Sequence, residues 1–168
     1  SQSGLDYDVL TFNYDAQQNF YVAGRGKTLQ MSRFNSKTKE FTDLQISNSA
    51  EFDFGNLLIH DFSFGSDDQI YIATDHGIFV YKPASPTEGK LERIEAFKEV
   101  ENSLIRSIHT SESGHLWVGT EYGLYLYEHE DLIKIDLSDG LPSTTLTYRS
   151  LIPGYRGSLW VGTHNGIG

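Results

Sequence analysis

The sequence predicts an all-β fold, a partial β-propeller of about three and a half four-stranded antiparallel blades that forms part of a larger propeller. Three observations carry this. One motif is written four times, as Phe20-Tyr21-Val22-Ala23-Gly24, Ile70-Tyr71-Ile72-Ala73-Thr74, Leu116-Trp117-Val118-Gly119-Thr120 and Leu159-Trp160-Val161-Gly162-Thr163. Its aromatic positions lie 50, 46 and 43 residues apart, the span of a four-stranded propeller blade. Around them apolar residues recur at every second position, the period of a strand, rather than three and four apart as on a helix.

The blades follow in order as 8–55, 56–101, 102–144 and an incomplete 145–168. Four columns are apolar in each: Val9, Phe12, Phe20 and Val22; Ile59, Phe62, Ile70 and Ile72; Ile105, Ile108, Leu116 and Val118; Tyr148, Leu151, Leu159 and Val161. In the first blade Gly24-Arg25-Gly26, followed by Lys27, distorts the inner hairpin. The second has a longer outer hairpin around Lys82-Pro83-Ala84-Ser85-Pro86. The third reads most clearly, with strands over Leu104–Thr110, His115–Gly119, Leu124–Glu128 and Leu132–Asp136, turns at Ser111–Gly114 and Gly123, and Asp139-Gly140-Leu141-Pro142 leading onward. In the fourth, Asn165-Gly166 is the strongest hairpin signal, since both residues accept the positive φ of a tight turn. Blades pack face to face, so the Tyr and Trp column is expected between them. A chain ending halfway through a fourth repeat cannot close a propeller by itself, and its uncovered end faces suit self-association.

Composition narrows the function classes. The 168 residues suffice for one ordinary domain. Ten Tyr, ten Phe and two Trp supply core area that the 38 % apolar fraction understates. A formal charge of −10 opposes binding to nucleic acid. Absence of cysteine removes disulfides, thiolate nucleophiles and Cys-ligated zinc. No apolar run reaches the roughly 18 residues of a membrane span, so no membrane contact is expected of this segment. The start, Ser1-Gln2-Ser3-Gly4, lacks signal-peptide features, which fits either a cytosolic parent or a removed targeting segment. The six histidines show no ligand spacing, and Asp67-Asp68 suits a solvated turn better than calcium, so neither metal nor cofactor is expected. Gly-x-Ser-x-Gly, phosphate-loop and dinucleotide patterns are all missing, and the chain is read as not an enzyme.

Gly114-His115-Leu116-Trp117-Val118-Gly119-Thr120-Glu121-Tyr122-Gly123-Leu124 and Gly157-Ser158-Leu159-Trp160-Val161-Gly162-Thr163-His164-Asn165-Gly166-Ile167 resemble the two-component regulator propeller repeat, as does Asp139-Gly140-Leu141-Pro142. The resemblance runs from about Asp8 onward and is weaker in the first two copies, where Tyr21 and Tyr71 replace Trp. It implies the periplasmic sensor region of a Bacteroides-type hybrid histidine kinase anchored in the inner membrane, and an oligosaccharide ligand.

Sites follow from propeller geometry. The turn between second and third strands shares a rim with the loops joining blades, here Glu99 to Asn102 and Asp139 to Thr145. That turn carries Asp75-His76, Glu121-Tyr122 and His164-Asn165. Sugars take aromatic stacking and planar polar groups, which selects His76, Tyr122 and Asn165; the same residues also suit an ordinary solvated turn. Arg106 and Arg149 belong to innermost strands, where His60 and Leu10 hold the equivalent places. Their guanidinium groups suit either an axial binding channel or a carboxylate of the neighbouring blade. A propeller enzyme acting on polysaccharide and a protein-binding scaffold are the alternative functions.

Overall fold

The structure is a computed structural model that describes residues 4–26, 30–48, 58–100 and 103–168, apart from the side chains of Asp67 and Glu99. Lys27, Glu101, Asn102 and the expected blade boundary at 55/56 lie outside the described residues.

Strands β1 (Asp8–Tyr14), β2 (Phe20–Arg25), β3 (Met31–Asn35) and β4 (Glu40–Asp43) form the first sheet in that order. The second contains β5 (Gln45–Ile46), β6 (Ile59–Phe64), β7 (Ile70–Thr74), β8 (Gly77–Pro83) and β9 (Glu88–Arg93), ordered β5-β9-β8-β7-β6. The third is β10 (Ile105–Thr110), β11 (Leu116–Thr120), β12 (Leu124–Glu128) and β13 (Asp131–Ile135). The fourth is β14 (Leu146–Pro153), β15 (Leu159–Thr163) and β16 (Gly166–Ile167). These sheets are successive blades of a propeller, as the repeat predicts.

Sequence chemistry sets the turns. His129 and Glu130, at φ 49° and 69°, close β12 onto β13 with the double positive φ of a type I′ turn, whose twist matches the strands. After β13, the Asp136 carboxylate accepts from Ser138 N at 2.9 Å and Gly140 turns left-handed at φ 98°, so Asp139-Gly140 ends a short 3₁₀ turn leading to the next blade.

Three packed layers make the core, one between each pair of blades. Tyr21, Ala23, Met31 and Leu44 of the first blade meet Phe62, Ile70 and Ile72 of the second. Ala73, Ile78 and Val80 meet Ile105, Leu116 and Val118. Leu124, with Trp117 alongside, meets Leu146, Leu151 and Val161. Each large side chain so buried contributes about 1.5–3 kcal/mol. Tyr21, Tyr71 and Trp117 therefore face the following blade, as expected of the aromatic column, while Trp160 in the same column is 55 % exposed. The opposite end face is open too. Phe12 is 59 % exposed where its counterparts Phe62, Ile108 and Leu151 are 1 %, 4 % and 7 % exposed. Rings of the first blade collect on that face, with Phe12–Phe20 and Phe34–Phe41 centroids 5.8 and 5.1 Å apart.

Two local readings change. Gln45–Ile46 leaves the first blade and pairs in parallel with Glu88–Gly89 at the outer edge of the second. Asn48 continues this cover by bonding both backbone groups of Leu91, at 3.0 and 2.9 Å. The strand covers an edge that would otherwise present unpaired amides. In the fourth blade Leu146, not Tyr148, takes the first apolar column. It pairs with Thr163 as Ile59 pairs with Thr74 and Ile105 with Thr120, and it is fully buried, whereas Tyr148 is exposed. The irregularity that costs one residue in the other blades widens here to include Thr147, Tyr148 and Arg149, and Arg149 sits at φ 51°.

Innermost strands radiate from the axis and cannot pair with one another, so their free backbone edges need other partners. Side chains of the preceding blade supply them. Asn13 donates to Phe62 O at 3.1 Å; Asp61 accepts from Ile108 N at 3.0 Å; Ser63 accepts from Thr110 N at 2.8 Å; Ser107 accepts from Leu151 N at 3.3 Å.

Candidate functional site

Thr-x-x-Gly is the unit that builds the rim. Thr74, Thr120 and Thr163 each donate their hydroxyl to the carbonyl of the glycine three residues on, Gly77, Gly123 and Gly166, at 2.9, 3.0 and 2.8 Å. The same hydroxyls accept the amides of His76, Tyr122 and Asn165 at 3.0, 3.0 and 3.3 Å. The glycines take φ of 110°, 143° and 139°, a region that favours a residue without Cβ. Asn165 has no positive φ among the described residues, so in this turn glycine alone bears the left-handed step. The two intervening residues in each of these three blades are thereby held on a rigid frame.

Those pairs divide in role. Asp75 Oδ1 accepts Leu58 N at 3.0 Å and Glu121 Oε1 accepts Leu104 N at 3.4 Å, so the acids clamp the turn to its own innermost strand. His76 reaches Asp75 Oδ1 through Nδ1 at 2.9 Å and its carbonyl receives Arg93. Tyr122 and Asn165 are exposed. Among the described residues no hydrogen bond or ring contact joins His76, Tyr122 and Asn165, which stand on three successive blades.

Arg106 is held inside the rim. Its Nη1 donates to Leu146 O at 3.2 Å and lies 3.5 Å from His164 Nε2, its Nη2 is 3.9 Å from Glu121 Oε2, and its Cζ stands 5.3 Å from the Tyr148 ring centroid. The carboxylate beside it belongs to its own blade; the neighbouring blade contributes a carbonyl, a ring and an imidazole. The buried Arg106 Nε and His60 Nε2 have no partner among the described residues. The His60 ring lies 6.4 Å from that of Tyr148, and burial lowers its pKa against the opposing pull of Asp75. Arg149 is exposed and does not join this group; it lines an axial cavity of about 380 Å³ with Asp61, Ser107 and His109.

Two features lie outside the expectations from sequence. Asp61 interrupts an apolar strand, yet it accepts from Ile108 N, Phe62 N, Ser107 Oγ and Thr11 Oγ1 at 3.0, 3.0, 3.3 and 3.4 Å, tying three blades together. Burial raises its pKa, against the hydrogen bonds and the charge of Arg149. A second cleft, of about 620 Å³, opens between the first and second blades on the opposite rim, among Asn19, Tyr21, Arg33, Phe64 and Pro83–Pro86. The long Lys82–Pro86 hairpin was its one visible trace.

No protein-family profile matches the chain, and no curated protein matches it. Solved structures do. The extracellular domain of BT4673 from B. thetaiotaomicron, described as a hybrid two-component system, is similar at a TM-score of 0.72 and 22 % identity over 99 % of this chain and 22 % of that one. That of BT3049 from the same organism, described likewise, gives 0.69 and 23 % over 95 % and 21 %. A catalytically inactive virginiamycin B lyase from Staphylococcus aureus, solved with quinupristin, gives 0.63 and 11 % over 97 % and 55 %. The likeness establishes the fold as a β-propeller. The chain spans about a fifth of the length of the two extracellular domains.

Proposed function

We propose that this chain is part of the extracellular, periplasmic sensor propeller of a hybrid two-component system of the two-component regulator propeller family, with a parent anchored in the inner membrane and an oligosaccharide as ligand. One observation carries the reading: a fixed Thr-x-x-Gly frame presents differing polar and aromatic pairs side by side on one rim. Invariant support with varied display suits recognition rather than turnover. Likeness in fold to the extracellular domains of two proteins described as hybrid two-component systems supports it. His76, Tyr122 and Asn165 supply the outward contacts, with Arg106 and Arg149 behind them toward the axis.

A saccharide array followed by calorimetry, with the chain in its parent protein, tests this. Specific titratable binding is expected, weakened about tenfold by Tyr122→Ala. If no saccharide binds, the sensing reading falls; if bound saccharide is cleaved, the chain belongs to a polysaccharide-active enzyme; if only a protein is retained, it is a scaffold.

A further inference from the structure

The cleft between the first two blades lies on the rim opposite the Thr-x-x-Gly turns, because it is built from the β1–β2, β6–β7 and β8–β9 connections. Its volume of about 620 Å³ falls in the ordinary range of ligand clefts, roughly 300–1,000 Å³. It joins a second depression of about 330 Å³, the two sharing Asn19, Arg33 and Pro86, so together they form one elongated groove. The longer β8–β9 hairpin makes its wall: Pro83 to Pro86 stand beside it, while the equivalent β12–β13 connection is only His129-Glu130.

Chemistry changes along the groove. In the larger part Tyr21 and Phe64 meet edge to face at 5.0 Å, giving an aromatic floor. Two carboxylates, Asp15 and Asp68, also line this part. Asp15 is already engaged, accepting from Asn19 N and Nδ2 at 2.8 and 2.7 Å and from Gln17 N at 3.0 Å, so an acidic group is expected in the smaller part beside Arg33 rather than here. The smaller part is bordered by Arg33 and Lys37 and by no carboxylate. Arg33 stands at the junction, half-buried, with its Cζ 5.9 Å from the Tyr21 ring centroid. Among the described residues its guanidinium makes no hydrogen bond and no ion pair, while its backbone pairs within the sheet. A half-buried guanidinium with its planar fork unspent, next to an aromatic floor, recognises a carboxylate attached to a body with apolar faces and polar edges.

We propose that this groove is a second saccharide subsite, selective for an acidic oligosaccharide whose carboxylate pairs with Arg33 while an adjoining sugar ring lies in the larger part. Lys37 adds charge at the mouth. This rests on the saccharide-sensing reading above, but it places a contact on the far rim and specifies the ligand's charge.

Calorimetric titration of the chain with the trisaccharide of galacturonic acid, and with the neutral galactose trisaccharide, tests it. The acidic sugar is expected to bind about tenfold more tightly, with the preference falling at about 0.5 M salt. Arg33→Gln should abolish the preference without changing neutral-sugar affinity, and Arg33→Lys should keep part of it. Lys37→Gln should reduce it slightly and guards against a folding defect at Arg33. Equal affinity for both sugars, a preference surviving Arg33→Gln, or failure of the acidic sugar to bind while others do would each overturn the subsite and leave the sensing reading standing. If no saccharide of any kind bound, that reading would fall first.

Discussion

Replacing Asp61 tests the idea that blades are joined by side chains of one sheet capping the inner edge of the next. Asp61→Ala removes the acceptor of two backbone amides, Ile108 N and Phe62 N, and of two hydroxyls, Ser107 and Thr11. The hydroxyls can rotate to other acceptors, but the amides cannot. A buried donor left unpaired costs about 1–3 kcal/mol, so two cost about 2–6 kcal/mol. Relief of the carboxylate's own burial, visible in its raised pKa, offsets part of this. A net loss of about 3 kcal/mol is expected near neutral pH, or roughly 6–12 °C in Tm for a chain of this size. Asp61→Asn, which keeps one acceptor oxygen, should lose about half as much. Urea unfolding at equal m-value would measure both. The sign with pH is also fixed. A raised carboxylate pKa means that the folded chain holds the proton more firmly than the unfolded one. The group's contribution is therefore fully present below the unfolded value of 3.8 and declines as pH rises through the higher folded value. The advantage of the parent over Asp61→Asn should shrink across that window. An Asp61→Ala variant within about 1 kcal/mol of the parent would refute the capping scheme.

Other outcomes follow from the same packing. Leu116→Ala, deep between the second and third blades, should cost about 2–5 kcal/mol, while Trp160→Ala on the open face should cost under about 1 kcal/mol, by thermal unfolding. Thr120→Ala removes both bonds of the rim turn and should cost about 1–2 kcal/mol. Gly123→Ala meets Ile135 O at 3.1 Å and a φ of 143°, and should cost about 1–3 kcal/mol. The Phe12 and Trp160 faces occupy opposite ends, so we expect head-to-tail self-association visible by sedimentation and lost in Trp160→Lys; a monomer at high concentration would count against it.

Much of this fold was legible because a propeller repeats its interface as well as its sheet. The columns of Phe62, Ile72, Ile108 and Val118 are apolar for the same reason in every blade, and β12 runs over Leu124–Glu128 as its pattern indicates. Short or irregular pieces were not legible. Gln45-Ile46 is too brief to show a period, and its partner Glu88–Gly89 lies over 40 residues away. Counting back from Trp160 puts Tyr148 in the first apolar column because it assumes a one-residue irregularity, whereas the fourth blade inserts more before Leu151. For the rim, the display positions could be located from Gly77, Gly123 and Gly166, but the threonine that locks each turn could not, since its role depends on where a carbonyl points. Arg106 could be placed beside the axis; its neighbours Glu121, Tyr148 and His164 come from three other segments of the chain and meet only in space.

Inner-edge capping gives this architecture a grammar for growth. The second and third blades carry on their first strands the acceptors that the next blade's amides require, as Asp61 does for Ile108 and Ser107 for Leu151, and Asn13 of the first blade serves a carbonyl of the second. A tandem duplication of one whole unit thus arrives already supplying its successor and already supplied by its predecessor. Such arrays can lengthen or shorten by recombination at little cost in buried amides where the joined blades carry matching caps and the breakpoints keep the register of the repeat.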